Sequence, residues 1–274
     1  MSGFTPMIEQ YRNIKKEYAD CILFFRLGDF YEMFFDDAEL ASRELDIVLT
    51  ARDGGQCKVP MCGVPYHAAT GYIGKLLDKG YRVAVCDQME DPALAKGIVK
   101  REVTRVVTPG TALDDAWLKE DNNYLTALLV EEEMAALAYV DVSTGEFGAC
   151  QFTGSGGIAL LRDELARLRP RECLVPQWSK ESTVFFDNND FREVVLTETA
   201  PELFTAENAK HLLQKYFGSH ALNVSGLERM PVALKAAGAI LGFIEETQRT
   251  YMSQIKYIRT YHVTDYLGLD QASR

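Results

Sequence analysis

The sequence predicts an α/β protein of two domains, a small mixed-sheet α/β domain followed by a second α/β domain of different strand order. Three observations predict it. A chain of 274 residues is long enough to bury two cores. Up to Gly110, short apolar runs rich in Val, Ile and Phe alternate with amphipathic stretches, the pattern of mixed strands interleaved with helices. Beyond the acidic, polar stretch Leu113 to Asn123 (LDDAWLKEDNN) three strands follow one another before any helix.

Pro6 to Tyr18 reads as a helix with proline at its start, where a missing N–H costs nothing. Ile22 to Phe25 and Phe30 to Phe35 are strands joined across Gly28-Asp29, a hairpin. Asp36 and Asp37 can cap a helix running to Leu45, Ile47 to Thr50 is expected to be a strand, and Asp53-Gly54-Gly55-Gln56 is a turn. Lys58 to Gly63 is extended, and Pro65 and His67 lead into a helix from Ala68 to Lys79, stopped by Gly80. Tyr81 to Cys86 and Val99 to Val107 are strands, the second ended by Pro109-Gly110.

In the second half, Tyr124 to Glu131, Ala135 to Val142 and Glu146 to Phe152 form a meander whose second connection is Ser143-Thr144-Gly145. A helix from Gly156 to Leu168 and a short buried strand, Glu172 to Val175, come next. Three antiparallel strands and then alternating helix and strand is the element order of a ribonuclease H-like sheet, and order does not give function. Val184 to Phe186 and Val194 to Leu196 are short strands, Pro201 to Tyr216 a helix, and Pro231 to Thr250 a long helix. In the last, Leu234, Ala237, Leu241, Ile244 and Thr247 share one face. Ile255 to Val263 is strand-like. The expected domains are 1–113, a linker at 114–123, a ribonuclease H-like domain at 124–254, and the start of a further region at 255–274.

Composition narrows the function classes. No apolar run approaches the roughly 18 residues a membrane span needs, and the amino terminus does not read as a signal peptide. Six cysteines include no C-x-x-C pair, and four lie in strand-like runs, so a reduced, cytoplasmic setting and no metal site are expected. The net charge of −11 argues against a protein that coats nucleic acid, so any DNA contact has to be local. The best basic cluster is Lys96, Lys100, Arg101 and Arg105; on charge alone it is equally a solvated face.

No phosphate-binding loop, G-x-S-x-G or H-E-x-x-H motif is present. The strongest enzyme candidate is Asp141 ahead of Ser143-Thr144-Gly145, which in a ribonuclease H-like or resolvase-like nuclease would hold a metal ion. A tight turn explains the same residues more simply. Phe30 and Glu32 stand two apart on a strand and therefore share a face. An aromatic and a carboxylate projecting together suit prying open a base step and bonding the exposed base. By local pattern alone, however, they are a core aromatic and a surface acid.

Several stretches taken together are more specific. They are Thr5-Pro6-Met7, Gly28-Asp29-Phe30-Tyr31-Glu32, Gly63-Val64-Pro65-Tyr66-His67, Val83 to Gln88, Val107-Thr108-Pro109-Gly110-Thr111, Asp141 to Gly145 and Thr247-Gln248-Arg249. In order and spacing the sequence resembles the N-terminal part of the MutS family of DNA mismatch-repair proteins along its whole length. The resemblance implies that Phe30 stacks on a mispaired base while Glu32 hydrogen-bonds it. It implies that Arg52, Lys58 and Met61 approach DNA backbone and groove, with Lys96 and Arg105 as further contacts. It also implies a connector second domain without nuclease activity that relays nucleotide state and docks a MutL-type partner. The ATP- and magnesium-binding ATPase and the homodimer contacts belong to parts of the family's proteins that this sequence does not match, so no cofactor is expected in this chain.

Overall fold

The computed structural model describes residues 3–55, 57–90, 97–113, 122–177, 191, 193–218, 226–248 and 254–263, and the chain divides into two units, the first holding the described residues up to Pro109 together with Thr247 and Gln248, the second the other described residues. Gly110–Leu113, expected within the first domain, groups with the second unit. The reason is local: the Gly110 N–H donates to Glu172 Oε2 at 2.9 Å, and a Cβ at 110 would lie 2.9 Å from the Glu172 Cβ.

The first unit is a six-stranded mixed sheet of order β3-β4-β2-β1-β5-β6, comprising β1 (Ile22–Leu27), β2 (Phe30–Phe34), β3 (Thr50–Asp53), β4 (Lys58–Pro65), β5 (Val83–Gln88) and β6 (Arg101–Val107). Only β1 and β5 run parallel. Because side chains alternate, one face carries Leu23, Phe25, Phe34, Val59 and Ala84, packed against Ile8 and Tyr11 of α1 (Pro6–Glu17). The other face buries Phe24, Met33, Cys62 and Val64 toward α2 (Asp36–Leu45) and α3 (Ala69–Asp78).

Asp37 ties these layers together. Its buried carboxylate accepts the Tyr11 hydroxyl at 2.8 Å and the Leu23 N–H at 3.0 Å, and it pairs with Lys15 at 2.9 Å. A helix-start residue thus joins α1, β1 and α2, and the burial of an acid is offset by three donors.

The strand expected at Ile47 to Thr50 is not formed. Asp46 ends α2 in the left-handed conformation (φ 55°), Val48 and Leu49 are exposed in the connection, and pairing begins at Thr50. An apolar run was the sole signal for it, and at an unpaired sheet edge such a run has nothing to pack against.

The second unit has the sheet order β11-β10-β7-β8-β9-β12. Antiparallel β7 (Tyr124–Glu131), β8 (Met134–Asp141) and β9 (Glu146–Thr153) form the meander, and β10 (Glu172–Pro176) and β11 (Val195–Thr199) add in parallel beside β7. That is the ribonuclease H-like arrangement expected, with an extra edge strand, β12 (Arg259–Thr260), parallel to β9. One face packs on α5 (Ala206–Phe217) and α6 (Pro231–Gln248), the other on α4 (Gly157–Leu168).

Three local expectations change. The helix expected from Pro201 splits into a 3₁₀ turn, Pro201–Phe204, and α5, because extended Thr205 caps α5 with its Oγ1 accepting from the Asn208 N–H at 3.3 Å. Ile255, Ile258 and Tyr261 are buried at intervals of three, so Ile255 to Val263 is not a continuous strand and pairs only at Arg259–Thr260. The predicted face of α6 is buried, but so are Ala233, Ala236, Ile240 and Phe243; the helix is enclosed on nearly all sides. Val184 to Phe186 lies outside the described residues. Among the described residues no helix is long and apolar enough to cross a membrane.

Candidate nucleic-acid interface

The β1–β2 hairpin turns on two residues, and Gly28 takes φ 56°, a conformation glycine adopts without strain. Phe30 follows as the first residue of β2, opposite Leu27 on one side and Pro65 on the other. Burial falls along this face toward the tip: Phe34 is enclosed, Glu32 is half-buried, and Phe30 is 47% exposed. Phe30 is therefore not a core aromatic. It is held by a hydrogen-bonded strand on each side while much of its ring meets solvent.

Glu32 is also the reverse of a free surface acid. Arg52 Nη1 donates to its Oε2 at 2.5 Å, reaching from β3 across β4. The β4 residue facing Glu32 is Gly63, where a Cβ would come within 3.4 Å of the Glu32 Cγ and 3.3 Å of the Tyr31 carbonyl oxygen. Met61, two residues back on β4, faces Phe34 and Thr50 and packs partly into the core.

Alternation places Phe30, Glu32, Arg52 and Met61 on one face. Lys58 is exposed at the start of β4 and, by the same alternation, falls on the other face. Arg105 pairs with Val85 at the β5–β6 irregularity, in register with Phe24, and so it too is on the face opposite Phe30. Lys96 lies outside the described residues. The basic cluster read from the sequence is dispersed: Lys100 pairs with Glu102 at 2.6 Å and Arg101 is buried.

Arg26 and Tyr66, given no role in the sequence reading, stand beside the turn of the hairpin. The Arg26 guanidinium lies 3.5 Å from the centroid of the Tyr66 ring, and its Nε donates to the Gly28 carbonyl at 2.5 Å. The Tyr66 N–H donates to the Asp29 carbonyl at 2.8 Å. Proximity of Arg26 to the turn was visible in sequence; the approach of Tyr66, 37 residues after Asp29 and brought in by β4, was not.

Comparison with known proteins bears on the whole chain. Residues 5–116 match the family model MutS domain I and residues 123–256 match MutS domain II. The chain belongs to the MutS family. DNA mismatch repair protein MutS of Halothermothrix orenii is 46% identical over 276 residues, covering 100% of this chain and 30% of that protein. The proteins of the same name from Syntrophomonas wolfei and Acetivibrio thermocellus are 46% and 43% identical, each over 100% of this chain and 32% of their own length. This MutS-family chain thus spans about a third of the length of these curated relatives.

In the MutS domain II segment, Asp141 is buried and its carboxylate is fully engaged. Oδ1 accepts the Ser143 N–H at 2.9 Å and the Ser143 hydroxyl at 2.6 Å, and Oδ2 accepts the Asn123 N–H at 3.0 Å. It fixes the β8–β9 turn. With this segment matching MutS domain II and the carboxylate committed to the turn, a nuclease centred on Asp141 is not favoured.

Proposed function

We propose that the first unit reads mismatches in double-stranded DNA, with Phe30 entering the base stack at a mispair and Glu32 hydrogen-bonding the displaced base. The exposed Phe30 ring on a strand paired on both sides, on the same face as Glu32, is the observation that carries this reading. Parting a base step costs about a few kcal/mol, and least where pairing is already defective, so the cost of deformation becomes the signal. Glu32 contributes the opposite sign: a carboxylate near phosphates disfavours ordinary duplex, and a base donor offsets that penalty at the mispair.

Arg52 and Met61 accompany the pair on its face, and Lys58 and Arg105 are candidate backbone contacts at other places on the sheet; Lys96 is a further candidate on charge alone. The second unit acts as a non-catalytic connector that relays to an ATPase and docks a MutL-type protein. ATP, magnesium and homodimer contacts are assigned to a longer protein of the relatives' length, working in the cytoplasm. A net charge of −11 fits a reader that needs those further parts for tight binding.

The test is Phe30→Ala in the full-length protein, titrated by fluorescence anisotropy against mismatched and matched duplexes at stated salt. Base–aromatic stacking amounts to about 1–3 kcal/mol, so mismatch preference should fall roughly tenfold while matched-duplex affinity holds. Undiminished preference would sink the assignment.

A further inference from the structure

We propose that Arg26 and Tyr66 are positioning residues that set the direction in which Phe30 leaves the sheet. The inference rests on reading Phe30 as the element that enters the base stack. Both carbonyls of the two-residue turn are held from outside the hairpin ladder: Gly28 by Arg26 Nε at 2.5 Å and Asp29 by the Tyr66 N–H at 2.8 Å. The two holding residues are joined by the guanidinium stacked 3.5 Å from the Tyr66 ring centroid. Arg26 is fixed in turn, since Arg101 Nε donates to its carbonyl at 2.7 Å.

Arg101 is a buried cation whose other bonds go to neutral groups, the Gln10 Oε1 and the Val99 carbonyl, each at 2.9 Å. The cost of enclosing that guanidinium is offset by three acceptors, of which the Arg26 carbonyl is one, so the backbone entering the turn is tied to a buried and multiply bonded group. Tyr66 meanwhile leaves about half its surface in solvent, so it contributes little as core.

Register separates these residues from the reading face. Arg26 pairs with Tyr31, and alternation sends it to the side opposite Phe30 and Glu32. Its action on the mispair is through the turn. Arginine is required because one planar fork stacks on the Tyr66 ring and donates to the Gly28 carbonyl at once; the compact ammonium of lysine cannot span both.

The experiment measures binding of the full-length protein to mismatched and matched duplexes as a function of salt, with 2-aminopurine beside the mispair reporting unstacking. Arg26→Ala, Arg26→Lys and Tyr66→Ala should each reduce mismatch preference and the 2-aminopurine signal about threefold to fivefold, the worth of one cation–π contact. Tyr66→Phe should retain both, and matched-duplex affinity and salt slope should stay unchanged. In a Phe30→Ala background the Arg26 and Tyr66 substitutions should have no further effect on preference. Tyr66→Ala, at a half-exposed site, guards against a folding defect in the Arg26 variants. Retained preference in Arg26→Lys, or a salt slope lowered by about one, would make Arg26 a phosphate contact and overturn the proposal. Additivity with Phe30→Ala would also overturn it. If Phe30→Ala alone changes nothing, the reading of Phe30 has failed, and that outcome is distinct from a failure of Arg26.

Discussion

Arg52 Nη1 lies 2.5 Å from Glu32 Oε2, so the acid of the proposed reading pair is ion-paired from two strands away before any DNA arrives. The Arg52 side chain is 41% exposed and that of Glu32 14%, so the pair itself adds no more than about 1 kcal/mol to stability. Its weight falls on binding. Removing Arg52 deletes a cation and also leaves Glu32 uncompensated where phosphates approach.

Arg52→Ala should therefore weaken matched-duplex binding more in the wild-type background than in Glu32→Ala. Glu32→Ala alone should narrow the ratio of mismatched to matched affinity by roughly tenfold, the size of a hydrogen bond to a charged group. A double-mutant cycle in anisotropy titrations measures both. Additive effects would dissolve the link between the two residues, and a widened ratio in Glu32→Ala would contradict the role of the acid.

Tyr11→Phe should destabilise the chain by about 1–3 kcal/mol, since it removes one of three donors from the buried Asp37 carboxylate. The urea midpoint should fall with no change in the slope of unfolding. An unmoved midpoint would show that Lys15 and the Leu23 N–H suffice.

Stability should decline at alkaline pH. Burial pushes the thiols of Cys21, Cys62, Cys86, Cys150 and Cys173 up to about 12 from their ordinary value near 9. Each is held protonated in the fold and ionises once unfolded, so the unfolded chain binds fewer protons above pH 9. The stabilisation is complete below the ordinary thiol value and is lost as pH rises toward about 12, at up to ~1.4 kcal/mol per pH unit per thiol. Urea midpoints between pH 8 and 10.5 measure it, and Cys173→Ala should lessen the dependence by one thiol's share. A midpoint flat with pH would refute it. Cys57, the exposed thiol, should be the first to react with a thiol reagent.

Asp141→Ala should lower thermal stability by about 1–3 kcal/mol, since it strands N–H donors at the β8–β9 turn. Magnesium should leave the melting temperature of the unaltered chain in place. A magnesium-dependent rise that Asp141→Asn abolishes would revive metal chemistry at this residue.

Much of the fold was legible because strands β1, β2, β7, β8 and β9 carry strong apolar runs bounded by turn residues, and Gly28 and Pro231 punctuate the chain, whereas the cap at Thr205 was not read. What sequence could not supply was register. The bonding of Arg52 to Glu32, the separation of Arg105 from Phe30, and the burial of Arg101 all depend on which residues face each other across strands. Charges adjacent in sequence, Lys100, Arg101 and Arg105, fell to different environments for that reason.

Phe30 is mounted in a strand with a bonded neighbour on either side, and the turn before it is tied by two further bonds. When two bodies are pressed together the more compliant one yields. A ring carried on a loose loop would absorb the encounter in its own motion, and every base step would give the same answer. A stiff mount throws the deformation onto the duplex, so that local softness of the DNA, rather than play in the protein, becomes the quantity compared from one step to the next.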